Sequence, residues 1–217
     1  MSNYFSALVL TALIGGTACA DDETPDAAKP VAAKPAAAPA TAAAKPAATA
    51  PSSLPHYLQA PGSSLGFSFE QAGATSTGSF KQFATTFDYD EKNLAASKLD
   101  VKVQIASLDT QDKDRDSTLA SADLFDVEKF PSASYAANSL VKGAKGIEAV
   151  GKLTIRGVTK DLRIPLTIRA TATGLELSGE ATIKRLEFGI GQGEWKSTEW
   201  VGDAVKVSYK VQLKKAG

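Results

Sequence analysis

"KDLRIPLTIRA", residues 160–170, alternates without a break. Leu162, Ile164, Leu166 and Ile168 fall on one side, and Arg163, Pro165, Thr167 and Arg169 on the other. Successive side chains on a strand point to opposite faces, so this period reads as a β-strand with one buried face. The pattern continues in both directions. Upstream, "GKLTIRG" sets Gly151, Leu153 and Ile155 against Lys152, Thr154 and Arg156. Downstream, "GLELSGEATIK" sets Leu175, Leu177, Gly179, Ala181 and Ile183 on one face, and "DAVKVSYKVQLKK" does the same with Val205, Val207, Tyr209, Val211 and Leu213.

Four earlier stretches complete the set. "SLGFSFE" aligns Leu65, Phe67 and Phe69; "FATTFDY" aligns Phe83, Thr85, Phe87 and Tyr89, with Phe80 out of phase as at a bulge. "KLDVKVQIAS" aligns Leu99, Val101, Val103 and Ile105, and "SYAANSLV" is a weaker strand. Turns fall at Ala72-Gly73, Gly143–Gly146, Gly157–Lys160 and Thr173-Gly174. The expectation is about eight consecutive antiparallel strands. Strands with one apolar face must stack as two sheets or close on themselves, and closure also removes exposed edges. An eight-stranded barrel has an interior that side chains can fill or that can hold one small ligand. The small inward residues Gly151, Gly179 and Ala181 are expected to leave space there.

One segment breaks the pattern: "RDSTLASADLFDVEKFPSASY", residues 115–135. Asp112, Asp114 and Asp116 suit a helix N-terminus, where carboxylates meet free N–H groups. Ala120–Phe125 would supply an apolar face, and Pro131 would end the helical run. A short helical insertion between the third and fourth strands is expected. It would fold over one barrel end with Leu119, Leu124, Phe125 and Phe130 turned inward, as a lid or as a packed cap.

The chain before the strands has a different character. "YFSALVLTALIGGTA" at 4–18 is apolar but shorter than the roughly 20 residues that span a bilayer. It reads as the core of a signal peptide over residues 1–20, although its start carries no Lys or Arg. Ala18-Cys19-Ala20 fits cleavage after Ala20, and Thr17-Ala18-Cys19 resembles the end of a lipobox that would lipidate Cys19. The expected lipobox Leu is replaced by Gly16. Both readings stand, and both put the mature domain outside the cytoplasm, in a periplasm. With one cysteine in the chain, no internal disulfide can form. Residues 21–55 repeat A-A-K-P at 27–30, 32–35 and 43–46 and lack aromatic residues, so they are expected to form an unfolded spacer. Residues 56–217 form the folded domain.

The formal net charge is zero, so no basic footprint points to nucleic acid. Asp112–Asp116 imitates the start of a calcium loop, but Ser117 stands where the turn needs Gly, and Asp123 replaces the reaching Glu. Gly62-Ser63-Ser64-Leu65-Gly66 matches the spacing of a nucleophile elbow. However, His56, the chain's one histidine, lies upstream of it, and a strand–turn–helix setting is absent. No His/Cys cluster suits a metal. No convergent nucleophile, base or carboxylate pair lies on inward faces, which argues against catalysis.

The blocks "SLDTQDKDRDSTLASADLFDVEKFPSASY" at 107–135, "GKLTIRGVTKDLRIPLTI" at 151–168 and "LEFGIGQGEW" at 186–195 with "VGDAVKVSYKVQL" resemble the YceI-like family of periplasmic polyisoprenoid-binding proteins. The resemblance spans about residues 62–215. It implies an all-β, lipocalin-like antiparallel barrel whose apolar interior holds a long isoprenoid or fatty chain without catalysis or cofactor. The residues expected to touch such a chain are Phe67, Phe69, Phe87, Val103, Ile105, Leu153, Ile155, Leu166, Ile168, Leu177, Ile183, Val207 and Tyr209, with Leu124 and Phe125 from the insertion. A lipid anchor at Cys19 would bring the domain to a membrane surface. The alternatives are an enzyme acting on such a lipid and an interaction module with a solid barrel.

Overall fold

Strand follows strand along a computed structural model that describes residues 54–144 and 146–216. The strands are β1 (His56–Gln59), β2 (Ser64–Gln71), β3 (Ala74–Phe80), β4 (Phe83–Asp88), β5 (Lys98–Gln104) and β6 (Leu108–Asp109), then β7 (Ser132–Gly143), β8 (Gly146–Ile155), β9 (Val158–Ala170), β10 (Gly174–Lys184) and β11 (Val201–Lys215). One α-helix, α1 (Lys113–Ala120), lies between β6 and β7. The expected signal peptide, Cys19 and nearly all of the spacer lie outside the described residues.

All pairings are antiparallel. The order β1-β4-β5-β7-β8-β9-β10-β11 returns to β1, which closes an eight-stranded barrel. The β2–β3 hairpin hangs on β11 and reaches β6. Sequence order explains the apparent complication. β1 and β2 are two halves of one bent strand, both laid along β11: Tyr57 faces Lys215 and Phe67 faces Val207. β3 and β4 are likewise two halves, facing β2 and β1. β5 and β6 are the halves of a third. The barrel is thus eight consecutive strands, three of them kinked, and the helical insertion follows the third.

The kinks correct the sequence reading. His56–Gln59, placed beside the spacer, is strand, and Ala74–Phe80 was missed because "ATSTGSF" holds one large apolar residue. Phe80 is out of phase because the strand breaks at Lys81-Gln82, where Lys81 N–H donates to Ser107 O and Gln82 N–H to Ser107 Oγ. The first kink is the Gly62-containing segment that imitates a nucleophile elbow. Gly62 has φ +88°, a left-handed conformation open to glycine. Ser63 Oγ accepts from Gln212 N–H (3.0 Å) and donates to Ala60 O (2.8 Å). A hydroxyl therefore replaces the missing ladder bond.

The helix is shorter than expected. Asp112 caps α1 by accepting from the N–H groups of Asp114 and Arg115, and the helix stops at Ala120, well before Pro131. Residues 121–130 form successive tight turns: Leu124 N–H donates to Ser121 O, Phe125 N–H to Leu119 O, and Phe130 N–H to Asp126 O. Leu124 and Phe125 are therefore turn residues, not a helical face. Asp126 adopts a left-handed φ of +50° within these turns.

Two apolar clusters divide the interior. One forms a floor, with Phe87, Leu99, Leu140, Ala149, Leu175 and Leu213. The other lies under the insertion, with Ile105, Leu124, Ala133, Ile155, Phe188 and Ile190. Replacing Ser63 by Ala should leave the Gln212 N–H without its partner and cost about 1–3 kcal/mol. Melting should fall by about 2–4 °C per kcal/mol lost; an unchanged midpoint in calorimetry would mean the kink is held some other way.

Candidate functional site

Between the two clusters lies a cavity with an almost wholly apolar wall. Room for the centres of water-sized spheres amounts to about 230 Å³. That is many times the roughly 10–15 Å³ that one trapped water needs by the same measure.

Its wall comes from inward faces all round the barrel. Leu65, Phe67 and Phe69 come from β2, Phe83 and Thr85 from β4, and Leu99, Val101 and Val103 from β5. Leu153 and Ile155 come from β8, and Leu162, Ile164 and Leu166 from β9. Leu177, Ala181 and Ile183 come from β10, and Val205, Val207, Tyr209 and Val211 from β11. The cap end adds Ile105, Leu119, Leu124, Phe125, Ile190 and Trp195. Strand alternation gathers these residues from distant parts of the chain because each strand has a single inward face.

The sequence-derived residues can be placed individually. Phe67, Phe69, Val103, Ile105, Leu124, Phe125, Leu153, Ile155, Leu166, Leu177, Ile183, Val207 and Tyr209 all border the cavity. Phe87 and Ile168 do not. Phe87 is fully buried in the floor, stacked on Tyr89 at 5.1 Å. Ile168 packs beside the same floor cluster. Both have the inward parity, but they sit too far down their strands to reach the open space; alternation specifies a face and not a height.

Two of the small inward residues also differ from expectation. A Cβ on Gly151 would run into the backbone of Ala136 and Ala137 at the bulge where β7 slips its register. A Cβ on Gly179 would collide with the Tyr209 hydroxyl. Both glycines admit close neighbours rather than leave room. Ala181 does border the cavity.

Tyrosines and arginines hold the frame. The single hydroxyl proton of Tyr135 is shared between Ala149 O (2.9 Å) and Leu162 O (3.1 Å). Tyr209 reaches over Gly179 to Pro165 O. β9 and β10 pair only where Ala170–Thr167 faces Leu175–Ser178. Beyond Ser178 they part, and the Tyr209 hydroxyl serves a carbonyl left over in that seam. Burial pushes both phenols well above their ordinary range, and for Tyr209 the nearby Tyr135 adds to the effect.

Arg185 is buried and gives all its donors to carbonyls: Gly202 (3.0 Å), Ile190 (2.9 Å), Trp195 (2.7 Å), Ser197 (3.2 Å) and Val201 (2.8 Å). Desolvation pulls its pKa down, and Asp203 opposes this. One guanidinium therefore folds the whole loop 186–201 beside the cavity. Arg156, at the β8–β9 turn, clamps the insertion: Nη2 donates to Ala122 O (2.6 Å), and Nη1 to Leu124 O (3.0 Å) and Gly189 O. Arg156 reads as an ordinary outward charge in sequence. The carbonyl partners of both arginines come from elements that only the fold brings together.

The two tryptophans lie apart. Trp195 borders the cavity, while Trp200 is 70% exposed beside the β2–β3 turn, where its carbonyl accepts from Ala72 N–H. Among the described residues, no three His, Cys, Asp or Glu side chains gather as a metal site, and no helix is long and apolar enough to cross a membrane.

The "YceI-like domain" family model matches residues 57–213. The chain belongs to the YceI-like family. Protein YceI of Escherichia coli O157:H7 is 40% identical over 97 residues, or 45% of this chain and 49% of that protein. The chain thus matches about half the length of its curated relatives. Burkholderia cenocepacia BcnA superposes with a TM-score of 0.66 at 28% identity, covering 69% of this chain and 94% of that one. The Campylobacter jejuni YceI protein gives 0.56 at 27% identity, covering 64% and 84%. A polyisoprenoid-binding domain from Saccharophagus degradans gives 0.60 at 16% identity, covering 75% and 99%, and shares the fold.

The two desolvated phenols of this YceI-like barrel, Tyr135 buried and Tyr209 half-buried, make a pH prediction. Their native pKa values lie above the unfolded value of about 10, so they stabilise the fold below that pH. The stabilisation is lost as pH rises above about 10, where the unfolded chain ionises and the native one does not. Phenolate absorbance at about pH 11 should lack Tyr135 and Tyr209 in native protein and gain them on denaturation. Full titration of every tyrosine in the native state would refute their burial.

Proposed function

We propose that the domain binds and carries a long-chain apolar lipid, of the polyisoprenoid or isoprenoid quinone class, without chemical conversion. The observation that carries this is the apolar cavity between two filled clusters: a barrel built only for stability would continue the core through it. Membership of the YceI-like family supports the reading, as does the fold shared with a polyisoprenoid-binding domain. The apolar wall offers no nucleophile with a base beside it. We further propose that the protein works in the periplasm, exported by residues 1–20 and either free or anchored through Cys19, with 21–55 as the tether.

Magnitudes constrain the ligand. Burying each methylene stabilises by about 0.8 kcal/mol, so a twenty-carbon chain gains roughly 16 kcal/mol before ordering costs offset part of it. Release into water is therefore slow. Transfer to a membrane is nearly balanced, because the chain is equally buried there. A chain longer than the cavity accommodates requires the cap to shift or the remainder to lie outside.

Protein purified from a host that makes polyprenols should release a chain-like lipid into organic solvent, seen by mass spectrometry. Ala181→Phe, which fills the cavity, should remove it, whereas the outward Thr182→Phe should not. Equal lipid from both variants would place the ligand elsewhere, and none from wild type would count against lipid carriage.

The cap bears on exchange. Phe125 is half-buried, borders the cavity and packs edge-on against Phe80 at 6.4 Å. A fully buried Phe→Ala change costs about 3–5 kcal/mol, and this one should cost about half that. If the insertion gates the cavity, Phe125→Ala should pass a fluorescent isoprenoid to vesicles several times faster while melting only slightly earlier. A large drop in melting with unchanged transfer would make the insertion a structural cap.

A further inference from the structure

We infer that Thr85 is the hydrogen-bond donor to a neutral oxygen, hydroxyl or carbonyl, carried at the deep end of the bound lipid. The inference rests on the lipid-binding reading above and specifies the ligand's chemistry at one place.

Thr85 has the inward parity of β4, between Phe83 and Phe87. It is 2% exposed and belongs to the cavity wall. The ladder sets it level with Val101, which in turn faces Tyr135. One inward step further, Phe87 faces Leu99 in the floor. Thr85 therefore marks the base of the cavity. Its Oγ1 is buried and has no hydrogen-bond partner among the described residues.

The tyrosine and other threonine hydroxyls that share this wall are already committed, and Ser134 is exposed on β7. Tyr135 and Tyr209 donate to backbone carbonyls, and Thr118 Oγ1 donates to Asp114 O at 2.8 Å. Valine has nearly the shape of threonine and would fill the place without an unpaired hydroxyl. A buried polar group without a partner is costly, and native structures almost always supply one. A trapped water is a poor candidate, since it needs two to four polar partners and the surrounding wall is almost wholly apolar. An oxygen on the ligand needs only the one hydrogen that Thr85 has to give.

The same surroundings require that oxygen to be neutral. A buried ionised group needs an opposing charge. The arginines that border the cavity are Arg115, on α1 at the cap end, and Arg185, whose donors are spent on five carbonyls. A phosphate or carboxylate would therefore stay at the cap end.

The test compares geranylgeraniol with the hydrocarbon of the same carbon skeleton, each displacing a fluorescent polyene from wild type, Thr85→Val and Thr85→Ser. Thr85→Val should weaken geranylgeraniol by about tenfold, the scale of one hydrogen bond lost. It should leave the hydrocarbon unchanged or tighter. Thr85→Ser should bind both as wild type does. Ligand-free Thr85→Val should melt at or above the wild-type temperature, which shows that the barrel is intact. Equal change for the two probes, or no change for either, would overturn the role of Thr85. Failure of wild type to bind either chain would overturn the lipid-binding reading and this inference with it.

Discussion

The architecture depends on one ladder. β11 is the longest strand, and along one edge it pairs with β10 from Gly174↔Lys214 to Lys184↔Ala204. Its other edge takes both halves of the bent first strand, β2 at one end and β1 at the other. Without that double pairing the sheet would end in two exposed edges, each a row of unpaired backbone groups. A straight first strand would not follow the curvature, so the bend at Gly62 and the Ser63 hydroxyl that bridges it are part of the closure.

Closure then creates the cavity. Eight strands, each with an apolar inward face, enclose a space that their side chains do not fill between the floor and the cap. The residues that shape this space act less by bulk than by hydrogen bonds to carbonyls. Tyr209 serves Pro165 where β9 and β10 part. Arg185 gathers five carbonyls and holds loop 186–201. Arg156 fastens the insertion to the hairpin beneath it. In each case a polar head is satisfied by backbone while its stem faces apolar neighbours, which lets strong donors sit beside an oily chamber without opening it to water.

This division also frames the chemistry. Tyr135, Tyr209 and Arg185 spend their donors on backbone carbonyls, whereas Thr85 at the base of the cavity keeps its own and the partly exposed Arg115 lies at its cap. A chamber of this kind rewards length and apolarity in its contents and reads head-group chemistry only at its two ends. It recognises by partition, with a small number of polar checks, which suits a carrier that must give its cargo back to a membrane.

Alternation alone determined much of this protein. Leu162–Ile168, Leu153–Ile155, Leu175–Ile183 and Val205–Leu213 disclosed the strands, their inward faces and the need to close, because the side-chain period of a strand is a local property. Asp112 disclosed the helix start, because capping is local as well. Tertiary structure alone decided the rest. Height along the barrel separates Phe87 and Ile168, in the floor, from Thr85 and Leu166, at the cavity. Register and curvature gave Gly151 and Gly179 the task of close approach where their size alone indicated space. The kinks at Gly62 and Lys81 depend on partners more than a hundred and about twenty-five residues away, Gln212 and Ser107. Long-range pairing sets these features, and a periodicity confined to one segment carries no information about what lies across the barrel.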